Sequence, residues 1–337
     1  MNSYTRMMSA IQHEKTDRVP VWFDIIQHTI HLCKITHKEY SSDPCKMVEC
    51  QKAALYRYGY DGIFISSDNK VIAEAFGDAV FLPDNEPPQF KNKVLDNNKD
   101  LSKLQKIDPL TSGRMPLILE ATKLARQELN DKYFIKTCCD SAPFQAAGVL
   151  RGEEKLMVDL FDDEQFVFDL LEVCSDAIVK FGRAIAASGA HAITFGDSTA
   201  SLIGRTFYEK FAYPFSKYVI DELKKSGIPV FLHVCGDTTH IFDLLIDSGA
   251  DVLEIDTALD LKYAKRLAGS KVALEGNVDP VNVLLHGTPE QVYIDSLRCI
   301  KSAGGNSGFI LSAGCEVPKE TPPENIIAMV RAAKEVS

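Results

Sequence analysis

IPVFLHVCGD, residues 228–237, is a short apolar run that ends in His233 and Cys235 and leads into Gly236 and Asp237, which can open a helix. In an extended chain residues i and i+2 project to the same face, so the imidazole of His233 and the thiol of Cys235 point the same way. An unbroken apolar run of this length, followed at once by a helix start, reads as a parallel strand buried on both faces. An imidazole and a thiolate side by side at the end of such a strand form half of a tetrahedral zinc site. The candidate for the other half is Cys315 in LSAGCEVP, which also follows an apolar run.

Working outward from this stretch, strand and helix patterns alternate along the chain. The predicted strands are VPVWFD (Val19 to Asp24), GIFIS (Gly62 to Ser66), YFIKTC (Tyr133 to Cys138), AHAITFGD (Ala190 to Asp197), IPVFLHV, ADVLEID (Ala250 to Asp256), KVALEGN (Lys271 to Asn277) and GFILSAG (Gly308 to Gly314). Helical patterns separate most of them: Pro44 to Tyr58 with Gly59 as its cap, Met115 to Asn130, Leu150 to Ser188 with a break near Phe161–Glu164, Phe207 to Ser226, Thr238 to Ser248, Leu261 to Ala268, Pro289 to Ala303 and Pro323 to Lys334. Such alternation with short, glycine-containing connections predicts an α/β chain folded as a (β/α)8 TIM barrel over residues 1–337, a single domain. Residues 71–95 read as a β-hairpin insertion, from AVFLP, QFKNKVL and the DNEPP turn between them. The competing fold, an open doubly wound sheet, lacks its GxGxxG after the first strand.

Composition narrows the function classes. The 337 residues are 45% hydrophobic, enough for a large core, and carry a formal charge of −10 with no basic run, which argues against a nucleic-acid surface. No apolar stretch approaches the roughly 18 residues of a membrane span. The N-terminal residues lack an apolar signal core, and nine irregularly spaced cysteines do not form a disulfide framework, so a cytoplasmic, reducing setting is expected.

In a barrel, catalytic groups gather at the C-terminal ends of the strands. Here those ends read Asp24, Ser67-Asp68-Asn69, Cys138-Cys139-Asp140, Asp197, His233 with Cys235, Glu254 with Asp256, Asn277 and Cys315, polar groups and thiols where the strand interiors are apolar. The strands that carry His233/Cys235 and Cys315 are three steps apart, so the three side chains can meet across the mouth. Two thiolates and one imidazole leave a fourth metal position open, as catalytic zinc sites do. Glu254 or Asp256, at the end of the adjacent strand, is the candidate to fill that position at rest or to support the ligands from behind, with Glu254 preferred. Asp197 and Asp140 are candidate catalytic carboxylates for orienting substrate or handling a proton. The structural alternatives are a buried thiol at Cys138 or Cys139, a helix-capping role for Asp197, a structural His191, and packing cysteines at 33, 45, 50, 174 and 299. Asn277 is read as tying the mouth loops together.

HVCGDTTHIFDLLIDSGADVLEID, VALEGNVDP, HGTPEQV and SAGCEVPKETPPENIIAMVRAAK, with DRVP, DGIFISSDN, EAFGD and CDSAPFQAAGVLRGEE upstream, resemble the uroporphyrinogen decarboxylase superfamily. More narrowly, they resemble its zinc-dependent corrinoid methyltransferase branch. The resemblance implies a (β/α)8 barrel and a His-x-Cys…Cys zinc motif, which falls on His233, Cys235 and Cys315. It also implies methyl transfer between methylcobalamin, carried on a separate corrinoid protein, and a small donor or acceptor such as a thiol or a methoxylated compound. The chain departs from the decarboxylases proper after the first strand, where WFDIIQHTIHLCK has no arginine to pair with porphyrinogen carboxylates. A cofactor-free decarboxylase and a non-catalytic zinc-binding barrel are the alternatives.

Overall fold

The structure, a computed structural model, describes residues 1–305 and 307–336. Seven parallel strands form a curled sheet: β1 (Gly62–Ile65), β4 (Phe134–Ser141), β5 (Ala192–Gly196), β6 (Val230–Val234), β7 (Val252–Ile255), β8 (Ala273–Val278) and β9 (Phe309–Ala313), in the order β1-β4-β5-β6-β7-β8-β9. The remaining two, β2 (Ala79–Phe81) and β3 (Gln89–Asn92), pair antiparallel as a separate ribbon. The seven strands are short and almost wholly buried, as parallel strands covered by helices on the outside must be. No helix among the described residues is long and apolar enough to cross a membrane.

The predicted first strand, Val19 to Asp24, is not a regular strand. It makes one parallel bridge, Val21 to Leu311. Its backbone nevertheless spans the space between the edge strands: Trp22 N–H donates to Leu311 O at 2.9 Å, Leu311 N–H to Pro20 O at 2.9 Å, and Asp61 N–H to Val21 O at 3.0 Å. Two features interrupt the ladder. Pro20 has no N–H to give, and the N–H of Val21 turns to the Asp61 carboxylate at 2.8 Å instead of a strand carbonyl.

Helix ends follow local chemistry. Asp43 caps the helix Pro44–Tyr58, with proline in its first turn, and Gly59 at φ 73° ends it in the left-handed conformation a side chain would disfavour. Thr288 and Gln291 form a reciprocal capping box on Pro289–Ser302. The break expected near Phe161–Glu164 falls at Asp163, between the helices Glu153–Asp162 and Glu164–Ala187. Two expectations shift: residues 71–95 begin with a helix, Val71–Ala75, before the ribbon, and Phe207 to Ser226 contains a π-turn, Tyr208–Ala212. Two helices the sequence reading left out, Ile26–Cys33 and His37–Ser42, follow Asp24 directly.

Candidate metal centre at the strand ends

The register sets the site. His233 of β6 pairs with Gly196 of β5 and with Glu254 of β7, and Glu254 pairs in turn with Glu275 of β8. Register partners in a parallel sheet lie side by side and point to the same face, so these residues form one row across the inner surface. Cys235 follows two residues after His233, and Cys315 comes from the turn after β9. The three ligand-type atoms of His233, Cys235 and Cys315 all lie within 4.8 Å of one another. The two sulfurs are 3.8 Å apart, and His233 Nε2 is 2.8 Å from Cys235 Sγ.

These residues fit zinc by donor type and, for the sulfurs, by spacing: metal–sulfur bonds of about 2.3 Å in a tetrahedron place two sulfurs about 3.8 Å apart. The imidazole lies closer to Cys235 than such a tetrahedron would leave it. His233 Nδ1 faces the backbone carbonyl of Glu254 at 3.1 Å, which directs Nε2 toward the thiols. Ser198 Oγ donates to Cys235 Sγ at 3.3 Å. Burial opposes a charged imidazole, yet the Cys315 thiol and the Glu254 carboxylate outweigh it and push His233 up to about 9.

Beneath it lies a group that the sequence reading missed. Lys136 of β4 is fully buried; its Nζ donates to Glu254 Oε1 at 2.8 Å and Glu275 Oε1 at 3.0 Å, and lies 3.5 Å from Asp24 Oδ1. Thr194 Oγ1 also donates to Glu254 Oε1, at 2.9 Å. Burial works against the ammonium, but the three carboxylates overcome it and raise its pKa; burial raises that of Glu275. Glu254 is thus held from behind, with Oε2 4.0 Å from His233 Nδ1. The signal was present in the alternation of FIKTC, where Lys136 shares a face with Cys138, which lines the cavity described next.

A cavity of about 360 Å³ opens above the three ligand-type residues. Asp24, Asp140, Ser198, Glu254 and Glu316 are among the residues that line it, and Pro87 from the β2–β3 turn reaches its edge. A hollow of about 530 Å³ at the opposite strand ends, lined by His13, Lys265 and Arg266, holds none of these groups.

The two candidate carboxylates separate. Asp140 lines the cavity at φ 80°, a strained backbone for a residue with a side chain, and accepts from Ile72 N–H at 2.7 Å and Ser141 Oγ at 2.8 Å. Burial pushes it up to about 7. Asp197 does not line the cavity, although its neighbours Gly196 and Ser198 do. It is buried, no hydrogen bond of normal geometry reaches either carboxylate oxygen, and burial pushes it up to about 7. Because the folded state holds this proton more tightly than the unfolded chain, Asp197 costs stability progressively as pH rises from about 4 through 7. Asp197→Asn should remove that cost. Denaturant titrations are expected to show the variant gaining on the parent as pH goes from 5 to 8, by about 1–3 kcal/mol at the upper end. A variant less stable at pH 8 than at pH 5, relative to the parent, would mean the carboxylate is ionised and supported.

Among the remaining residues, Asn277 Nδ2 donates to Asp256 O at 3.1 Å and Leu259 O at 2.8 Å, tying adjacent mouth turns together. His191 is buried at the far end against Ile135 N–H and Asp131, Cys139 is buried, and Cys45 is exposed.

Known proteins share this arrangement of chain and fold. The methylcobamide:CoM methyltransferase MtbA of Methanosarcina acetivorans is 31% identical over 346 residues, covering 99% of each chain. A uroporphyrinogen decarboxylase of Carboxydothermus hydrogenoformans is 28% identical over 343 residues, covering 98% of this chain and 96% of its own. The solved structure of a methyltransferase from Methanosarcina mazei superimposes with a TM-score of 0.91 at 22% identity, covering 99% of each. The profile of the uroporphyrinogen decarboxylase (URO-D) family matches residues 2–336. The chain belongs to the uroporphyrinogen decarboxylase family.

Proposed function

We propose that this chain is a zinc-dependent methyltransferase that moves a methyl group between a corrinoid, carried on a partner corrinoid protein, and a small substrate such as a thiol or a methoxylated compound. The observation that carries the reading is the meeting of His233 and Cys235, from the end of β6, with Cys315, from the turn after β9, at one point of the mouth. In the same reading Val19–Asp24 completes a (β/α)8 ring as its eighth stave, with the β2–β3 ribbon inserted after β1. Free thiols at the site suit a reducing, cytoplasmic setting.

His233 Nε2 and the two thiolates would hold the ion, and Glu254 would stand behind or take the fourth place. Zinc bound there supplies a Lewis acid, which lowers the proton affinity of a thiol or polarises an ether oxygen. Glu254 O fixes the imidazole through Nδ1, and Lys136 with Thr194 fixes the Glu254 carboxylate. Asp140 is placed to take the proton a substrate thiol gives up, since it lines the cavity and is poised near neutrality. In the thiol direction the carbon–cobalt bond breaks with its electron pair left on cobalt, and a sulfur–carbon bond forms.

The decarboxylase reading has less behind it. Among the described residues that line the cavity there is no arginine, and Lys70 is the one lysine. Metal analysis tests the proposal. The purified chain is expected to hold about one zinc and to demethylate free methylcobalamin with a suitable acceptor. Cys235→Ala and Cys315→Ala should each lose the zinc and the activity, with circular dichroism unchanged. Full zinc retention in both variants would overturn it.

A further inference from the structure

The cavity above the cluster is charged on one side of the balance. Asp24, Asp68, Asp140, Glu254 and Glu316 all line it, against the single ammonium of Lys70. Lys70 lies at the rim, where its Nζ donates to Asn69 Oδ1 at 2.9 Å and sits 5.6 Å from the Phe90 ring. The two cations behind the wall meet three of these five carboxylates and two more, Glu275 and Glu74, so that seven carboxylates stand against three cations. Lys136 faces Asp24, Glu254 and Glu275, and Arg114 donates to Ser67, Asp68 and Glu74. A divalent ion held by two thiolates adds no net charge. A low-dielectric cavity with this excess of carboxylates repels an anionic headgroup and offers it, among the described lining residues, no guanidinium and one ammonium, Lys70 at the rim.

Resting on the methyl-transfer reading, we infer that the small substrate of this chain is neutral or cationic at the end away from its reacting atom, and that the cavity selects against sulfonate and carboxylate headgroups. In this it differs from an acceptor of the coenzyme M type, a two-carbon thiol that ends in a sulfonate.

Three thiols of equal length separate the charge from everything else: HS–CH2–CH2–X with X a sulfonate, a hydroxyl or an ammonium. Binding is read from the thiolate-to-metal charge-transfer band of the cobalt(II)-substituted protein, corrected for each thiol's ionised fraction. Turnover is read from loss of methylcobalamin. The hydroxyl and ammonium thiols are expected to bind at least tenfold more tightly than the sulfonate, and Asp24→Asn with Glu316→Gln should narrow that gap. Equal or tighter binding of the sulfonate overturns the inference. If the predicted order of binding holds but no thiol consumes methylcobalamin, methyl transfer to thiols fails while the charge selection stands. If methylcobalamin is consumed fastest with the sulfonate, the inference fails and the methyl-transfer reading stands. No perturbation by any of the three overturns both.

Discussion

Asp61→Ala is expected to cost about 3–5 kcal/mol of folding stability, the range for stripping the partner from a buried ionic group. The carboxylate is fully buried and accepts four hydrogen bonds: from Arg6 Nη1 at 2.7 Å, Arg18 Nη1 and Nη2 at 2.9 Å each, and Val21 N–H at 2.8 Å. Arg6 keeps a second partner in Asp17, whereas the Arg18 guanidinium retains beyond Asp61, among the described residues, only the carbonyl of Val19. The same side chain replaces a strand neighbour for Val21, so its loss also frees the segment that carries Asp24 to the cavity. Urea titration at neutral pH measures the effect. Asp61→Asn retains an acceptor for Val21 and should lose less, about 1–3 kcal/mol. A loss below 1 kcal/mol in the alanine variant would show that both arginines reach solvent on their own, and that the Pro20 and Trp22 backbone bonds suffice to hold the segment.

That position also explains where the sequence was readable and where it was not. The seven regular strands were legible because most are short apolar runs bounded by turn residues, with polar groups or thiols near their C-terminal ends. Val19–Asp24 has the same apolar pattern but pairs through a side chain forty residues on, which no local pattern reveals. The helices Ile26–Cys33 and His37–Ser42 escaped notice, although Thr36 and Glu39 form a capping box whose spacing is visible in the sequence. At the site, alternation placed His233 and Cys235 together, and the strand count brought Cys315 to them. Lys136 was passed over because nothing near it in the sequence, beyond the alternation it shares with Cys138, singles it out. Its neighbours are carboxylates on three other segments, and only the packing of the curled sheet shows them to be its partners.

Lys136→Met should be as damaging as the loss of Asp61, and in a pH-dependent way. Methionine fills similar volume among Trp22, Phe64 and Phe231, whose ring centroids lie 4.8, 5.7 and 4.9 Å from Nζ, so packing is largely kept and the electrostatic change dominates. Asp24, Glu254 and Glu275 are then left together with no cation, two of them buried, at a cost of about 3–5 kcal/mol near neutral pH. Each carboxylate would bind its proton more tightly in the folded variant than in the unfolded chain. The penalty is therefore small below about pH 4, where both states are protonated, and grows as pH rises toward the raised folded values. Denaturant midpoints of parent and variant should converge at acid pH and diverge toward pH 8. Adding Glu275→Gln removes one of the stranded charges without touching the cavity wall, and should recover a large part of the loss. If Lys136→Met is instead equally destabilised at every pH, shape rather than charge would be what the buried ammonium supplies. Glu254 would then owe its orientation to Thr194 alone, and the row that links the floor of the sheet to His233 would not act as one electrostatic unit.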